Sequence, residues 1–134
     1  SNFLFMIEQV GLYLTSVILG IMVFFSFVVA PVTFTTLNEE NARKFIRKIF
    51  PYYYLFNLTI SILTIFTFII IQKFSIEFYL ISFIAILFII SNFILMPLIN
   101  KYRDTNQDKK FKYYHFASVL INFIQIIILV ILLI

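Results

Sequence analysis

A chain of 134 residues that is 63% hydrophobic, 20% aromatic and only 12% charged lies far outside the composition of soluble proteins and leaves no room for a soluble domain. Without cysteine it has no disulfide, iron–sulfur or thiolate chemistry. Its net charge of +4 is no footprint of a nucleic-acid partner, because nine of the ten Lys and Arg residues fall in two short polar segments, 38–49 and 100–112, separated by lipid-grade sequence.

Four apolar stretches, 10–32, 50–71, 78–99 and 113–134, each reach the ~20 residues that a helix needs to cross a hydrocarbon core of ~30 Å. Barrel strands would alternate apolar and polar residues, and 62–71 and 124–134 do not. The expectation is an all-α integral membrane four-helix bundle, one transmembrane domain over 1–134, with helices at about 3–30, 50–72, 77–99 and 112–134. Arg43, Lys44, Arg47 and Lys48 sit in loop one, and Lys101, Arg103, Lys109, Lys110 and Lys112 in or beside loop three. Loop two offers only Lys73. By the positive-inside rule, loops one and three face the cytoplasm and both termini lie on the periplasmic side.

The first helix is too long for a signal-peptide core, and Ala30–Pro31 is a poor cleavage site, so the reading keeps it as a span. It ends at Pro31, whose preceding residue is biased away from helix. In loop one, Asn38 before Glu39 and Glu40 reads as a helix N-terminus. Ala42, Phe45, Ile46 and Ile49 then recur at helical spacing opposite Arg43, Lys44, Arg47 and Lys48. That pattern predicts a short amphipathic helix over 38–48, lying in the interface and gripping anionic headgroups through those four cations. Pro51 suits the first turn of the second helix, where its missing N–H costs nothing. Six of the eight tyrosines, Tyr52, Tyr53, Tyr54, Tyr102, Tyr113 and Tyr114, mark the same interface. Loop two reads as a tight hairpin and loop three as a turn. No strong internal repeat is evident, although the first and third helices both run toward a proline, Pro31 and Pro97.

Polar side chains inside the spans carry the remaining information, because hydrocarbon penalises them. His115, Ser118, Asn122 and Gln125 form one stripe on the fourth helix; Asn57, Ser61 and Thr64 form another on the second. Glu8, Gly11, Thr15 and Ser26 share a face of the first helix, and Asn92 projects from the third. With the orientation above, Ser26, Asn57, Asn92, His115, Ser118 and Asn122 all fall in the cytoplasmic half, and Asn57, Asn92, His115 and Asn122 are predicted to converge in the interior with His115 near the cytoplasmic mouth. Three roles compete for this cluster: interhelical hydrogen bonding, with Gly20 or Ser16 allowing close packing; a solvated cavity for a small solute; or a haem or metal site. His115 is the lone histidine, and metal sites usually need three or four ligands. No carboxylate pair, Ser/His/Asp set or glycine-rich phosphate loop is present, so catalytic residues are none and no metal ligands are assigned.

The segments FFSFVVAPVTFTTL (24–37), IFPYYY (49–54), ILMPLINKYRD (94–104) and YHFASVLINF (114–123) resemble the bacterial four-helix membrane proteins related to eukaryotic transmembrane protein 205, a domain family of unknown function. The family pattern falls on Pro31, Phe34, Phe50, Pro51, Tyr53, Asn92, Pro97, Arg103, His115, Ser118 and Asn122. The resemblance implies a bacterial inner-membrane protein, and a distant similarity to copper-resistance and haem-pathway membrane proteins keeps a metal or haem at His115 in view. The expectation for function is a non-catalytic accessory or structural subunit of an oligomer or larger membrane complex. The alternative is binding or passage of a small solute, metal or haem through the polar cluster.

Overall fold

In hydrocarbon the backbone has no water to pair with, so a span must satisfy its own N–H and C=O groups. The computed structural model describes residues 1–134 and meets that demand with four long helices and no strand: α1 (Asn2–Thr36), α2 (Glu39–Ile70), α3 (Ile76–Asp104) and α4 (Asp108–Leu133). Each is long and apolar enough to cross a membrane, and the protein is a multi-pass membrane protein. Short links make chain neighbours antiparallel. Each helix packs on the next, and α4 closes the ring against α1. Ile18, Met22, Ile81, Ile84, Phe88 and Leu129 fill the shared core.

The helices outrun their apolar stretches at the basic end of the bundle, the end that carries the 37–38 and 105–107 links. The Asn38 side chain accepts a hydrogen bond from the Asn41 N–H at 2.8 Å, and Glu39 and Glu40 occupy the first turn. Arg43 then pairs with Glu39, and Lys44 with Glu40 at 3.2 Å. These local interactions are helix-stabilising on their own. The expected interfacial helix over 38–48 is therefore not a separate element: it is the opening of α2. Pro51 accordingly lies inside α2 rather than in its first turn. The bond it cannot make would have reached the Arg47 carbonyl, which lies at the basic end, where water can replace it.

The other two prolines are handled differently. A π-helical turn, Phe25–Val29, precedes Pro31, and another, Ser91–Leu95, precedes Pro97. Closing each turn, the Ala30 N–H donates to the Phe25 carbonyl and the Met96 N–H to the Ser91 carbonyl, five residues back instead of four. Such a widened turn makes room for a ring that would otherwise press on the carbonyl four residues before it. Each π turn ends two residues before its proline, in the aligned segments FSFVVAP and SNFILMP. The two prolines thus mark a repeated local device in α1 and α3.

At the opposite end α2 gives way to Ile71 and turns through Gln72 at φ 55°; at the basic end α3 gives way to Thr105 and turns through Asn106 at φ 54°. The Lys73 N–H reaches back to the Phe68 carbonyl at 3.0 Å and the Gln107 N–H to Tyr102 at 2.9 Å, closing both helix ends in the same left-handed cap. Lys73 also donates to Glu8 at 2.8 Å, tying the second link to α1. That bond is the main reason its ammonium is held above the ordinary lysine value.

α1 comes close to α2 at Gly11, where an added Cβ would lie 2.6 Å from Thr67 Oγ1. Gly20, expected to share this role, faces open space, and Ser16 is exposed, donating to its own helix at the Leu12 carbonyl. Small residues matter in membranes because close packing replaces the missing hydrophobic drive. Gly11→Val should therefore push α1 off α2 and cost about 1–3 kcal/mol, the range for overpacking, while Gly20→Ala should stay within about 0.5 kcal/mol of the parent. Reversible unfolding in mixed micelles measures both, and equal effects would show that Gly11 is not the pinch point.

Candidate functional site

The polar residues of the spans were expected to gather in one place, and the structure divides them into three groups. The first is a hydrogen-bonded chain across three helices. Tyr53 Oη on α2 donates to Asn122 Oδ1 on α4 at 2.7 Å, and Asn122 Nδ2 donates to Ser26 Oγ on α1 at 2.8 Å. Ser26 stands in the first π turn. Tyr54, the next residue along α2, faces Ser91 in the second π turn. Adjacent tyrosines thus reach the two widened turns, one each. Phe25 stacks on Tyr53 at 4.2 Å, and Phe50 packs against Phe25, Tyr53 and Tyr54, which fixes both phenol rings.

A second group is sealed in the core without complete pairing. Asn57, on α2, is fully buried, and neither its Nδ2 nor its Oδ1 has a hydrogen-bond partner. Asn92, in the second π turn, is buried with its Oδ1 unpaired. Gln125, on α4, is also fully enclosed; its Nε2 donates to the Ile84 carbonyl at 3.1 Å while its Oε1 is unpaired. The neighbouring hydroxyls do not serve these amides: Ser61 donates to the Asn57 carbonyl, Thr64 to Ile60 and Thr67 to Thr64, all within α2. An unpaired buried polar atom costs about 1–3 kcal/mol, so this trio is the least settled chemistry in the bundle.

His115 and Ser118 belong to neither group, which corrects the expected convergence. His115 is exposed at the basic end, with its ring stacked on Phe111 at 5.6 Å. The Arg103 guanidinium lies over the other ring of that stack, 3.7 Å from the Phe111 centroid. A cation and two flat rings account for the imidazole without a ligand. The Ser118 hydroxyl returns to its own helix at the His115 carbonyl, 2.7 Å away. The stripe was drawn at ideal helical spacing, and the rotation of α4 turns its first two members outward while Asn122 and Gln125 point in. No group of three His, Cys, Asp or Glu side chains comes together around His115 or elsewhere in the chain.

Gln125 and Tyr53 take larger parts in the interior than sequence pattern alone indicates. Gln125 lay on the stripe but deep in the apolar half, and Tyr53 read as an interface marker; in both cases the depth of the backbone hid where a long side chain ends. Of the other family-pattern positions, Pro31, Phe34 and Pro97 are exposed on the outside of the bundle. The four cations expected to hold headgroups are not equivalent either. Arg47 makes a two-pronged contact with Asp104, at 2.9 and 3.2 Å, clamping the start of α2 to the end of α3.

Tyr53→Phe should cost about 1–2 kcal/mol, since Asn122 Oδ1 loses its donor where little water can replace it. His115→Phe, on an exposed stack, should change stability by no more than about 0.5 kcal/mol. Chemical unfolding of the two variants side by side checks the ranking, and a reversed order would return His115 to the interior.

No curated protein and no solved structure matches the chain. A family model does, over residues 13–108, a stretch that takes in most of α1, all of α2 and α3 and both π turns, and stops at the first residue of α4. His115, Ser118 and Asn122 thus lie beyond the matched segment, while Ser26, Tyr53, Asn57 and Asn92 lie within it. By that match over well more than half its length, the chain belongs to the family described as domain of unknown function DUF4149.

Proposed function

We propose that the protein is a non-catalytic accessory or structural subunit that works by lateral assembly in the membrane, as an oligomer or within a larger complex. The observation that carries this reading is the uneven enclosure of the spans. In the most apolar window of α2 and of α3, 39% of residues are buried, against 11% for α4. The outward face of α4 presents Phe116, Leu120, Phe123, Ile127, Val130 and Ile134, all exposed, at alternating spacings of four and three residues. That is the seam spacing with which one helix packs along another. In lipid such packing depends on shape rather than hydrophobicity, and large interlocking side chains supply shape.

The same proposal places the protein in a bacterial inner membrane, in a family related to eukaryotic transmembrane protein 205. The charge bias favours loops one and three on the cytoplasmic side and both termini in the periplasm. Because the chain has no cysteine, single substitutions report cleanly. Asn106→Cys should react with an impermeant thiol reagent only after the cytoplasmic side is opened, and Ser75→Cys from the periplasmic side; the reverse pattern would invert the orientation.

A second reading, binding of a small polar solute in the core, has one observation in its favour: the unpaired amide atoms of Asn57, Asn92 and Gln125. The two separate in one preparation of gently extracted protein. The assembly reading expects Ile127→Cys to form a disulfide between copies, or native mass spectrometry to show a stoichiometric protein partner. A monomer that retains a small molecule, and loses it in Asn57→Leu, would replace the first reading with the second.

A further inference from the structure

Only one of the four cations in the opening turns of α2 lacks a carboxylate. Arg43 is paired with Glu39, Lys44 with Glu40 and Arg47 with Asp104, whereas Lys48 has no acidic partner. Directly below it along the helix, a groove of about 500 Å³ opens sideways between α1 and α2. Ile21 and Phe25 form its α1 wall; Ile49, Tyr52, Leu55 and Phe56 are among the residues of its α2 wall. Lys48, Tyr52, Leu55 and Thr59 follow one another at spacings of four, three and four, so they share a stripe of α2. Lys48 tops that stripe four residues, about 6 Å, beyond Tyr52, with its side chain tilted toward the helix start and away from the hydrocarbon.

The arrangement runs from an unneutralised ammonium, through the exposed Tyr52 ring, into an apolar trough with a volume in the range of small-molecule sites, about 300–1,000 Å³. A water-soluble ligand would match the ammonium and waste the trough. A neutral lipid would match the trough and leave the charge unanswered. We infer that the groove between α1 and α2 is a binding site for one anionic phospholipid, with an acyl chain along Ile21, Phe25, Leu55 and Phe56 and the headgroup phosphate at Lys48. The other three cations in the opening turns of α2 are already paired with carboxylates, which leaves Lys48 as the α2 cation free to meet the headgroup. The site rests on the helices being spans and is independent of whether α4 mediates assembly.

The test uses the whole protein in mild detergent, with phosphatidylglycerol and phosphatidylcholine of identical chains offered in equal amounts and bound lipid counted by native mass spectrometry. The parent should retain one lipid and prefer phosphatidylglycerol. Lys48→Gln, a substitution at an exposed position, should lower that preference about fivefold, the effect of one lysine at an anionic surface, while leaving phosphatidylcholine binding intact. Leu55→Trp should fill the trough and reduce retention of both lipids. Arg43→Gln should leave the preference unchanged. The site is overturned if Lys48→Gln retains the parent's preference, if Arg43→Gln loses as much, or if Leu55→Trp disrupts a contact between copies without changing the lipid count.

Discussion

The structure turns on a scarcity of hydrogen-bond partners. Inside hydrocarbon a donor or acceptor that its own helix cannot serve must find another helix or go without. Two prolines in the spans each threaten a backbone bond, and the π turns before Pro31 and Pro97 re-route the carbonyls instead of abandoning them. Widening those turns shapes the helix faces that carry Ser26, Ser91 and Asn92. Tyr53 and Tyr54 then reach across from α2, and Asn122 links the first of these contacts to α4. A backbone repair and a side-chain tie thus occupy the same level of the bundle.

Most hydroxyls contribute nothing to that tie. Thr15, Ser61, Thr64, Thr67, Ser82 and Ser118 all donate to carbonyls of their own helices. A short side chain in a helix has a carbonyl within reach one turn back, and in lipid that bond is always available. Interhelical bonding falls to the residues long enough to leave their own helix: Tyr53, Asn122, Gln125. Elsewhere contact comes from shape, as where Gly11 admits Thr67.

The two ends of the bundle are organised by different forces. At the basic end, charge pairs with charge along and between helices, and the Arg47–Asp104 clamp and the Arg103–Phe111–His115 stack hold the ends of α2, α3 and α4 together. Being exposed, such pairs contribute little stability, roughly 0–1 kcal/mol each; their effect is to decide which cations remain free. Within the opening turns of α2 only Lys48 is left without a carboxylate, beside an apolar trough between α1 and α2. At the other end a single pair, Lys73 with Glu8, closes the bundle.

Length, hydropathy and the placement of nine cations were enough to read the number of spans and the all-α class, because the hydrocarbon thickness admits few solutions for such a chain. Asn38 as a helix start was legible for a local reason, since its cap is made with a residue three positions on. The continuation of α2 through Pro51 was not, because the cost of a proline depends on whether water can reach the carbonyl it deprives. The π turns were not either: Pro31 and Pro97 were visible, but whether a helix ends, kinks or widens at a proline is set by what packs around it. For the polar stripes, period and depth put Ser26 and Asn122 in the same half of the bundle, where they bond, while only the rotation of α4 against α1 and α3 decided that Asn122 and Gln125 face inward and His115 outward. A helical period fixes which residues share a face; the neighbours that a helix packs against decide where that face points.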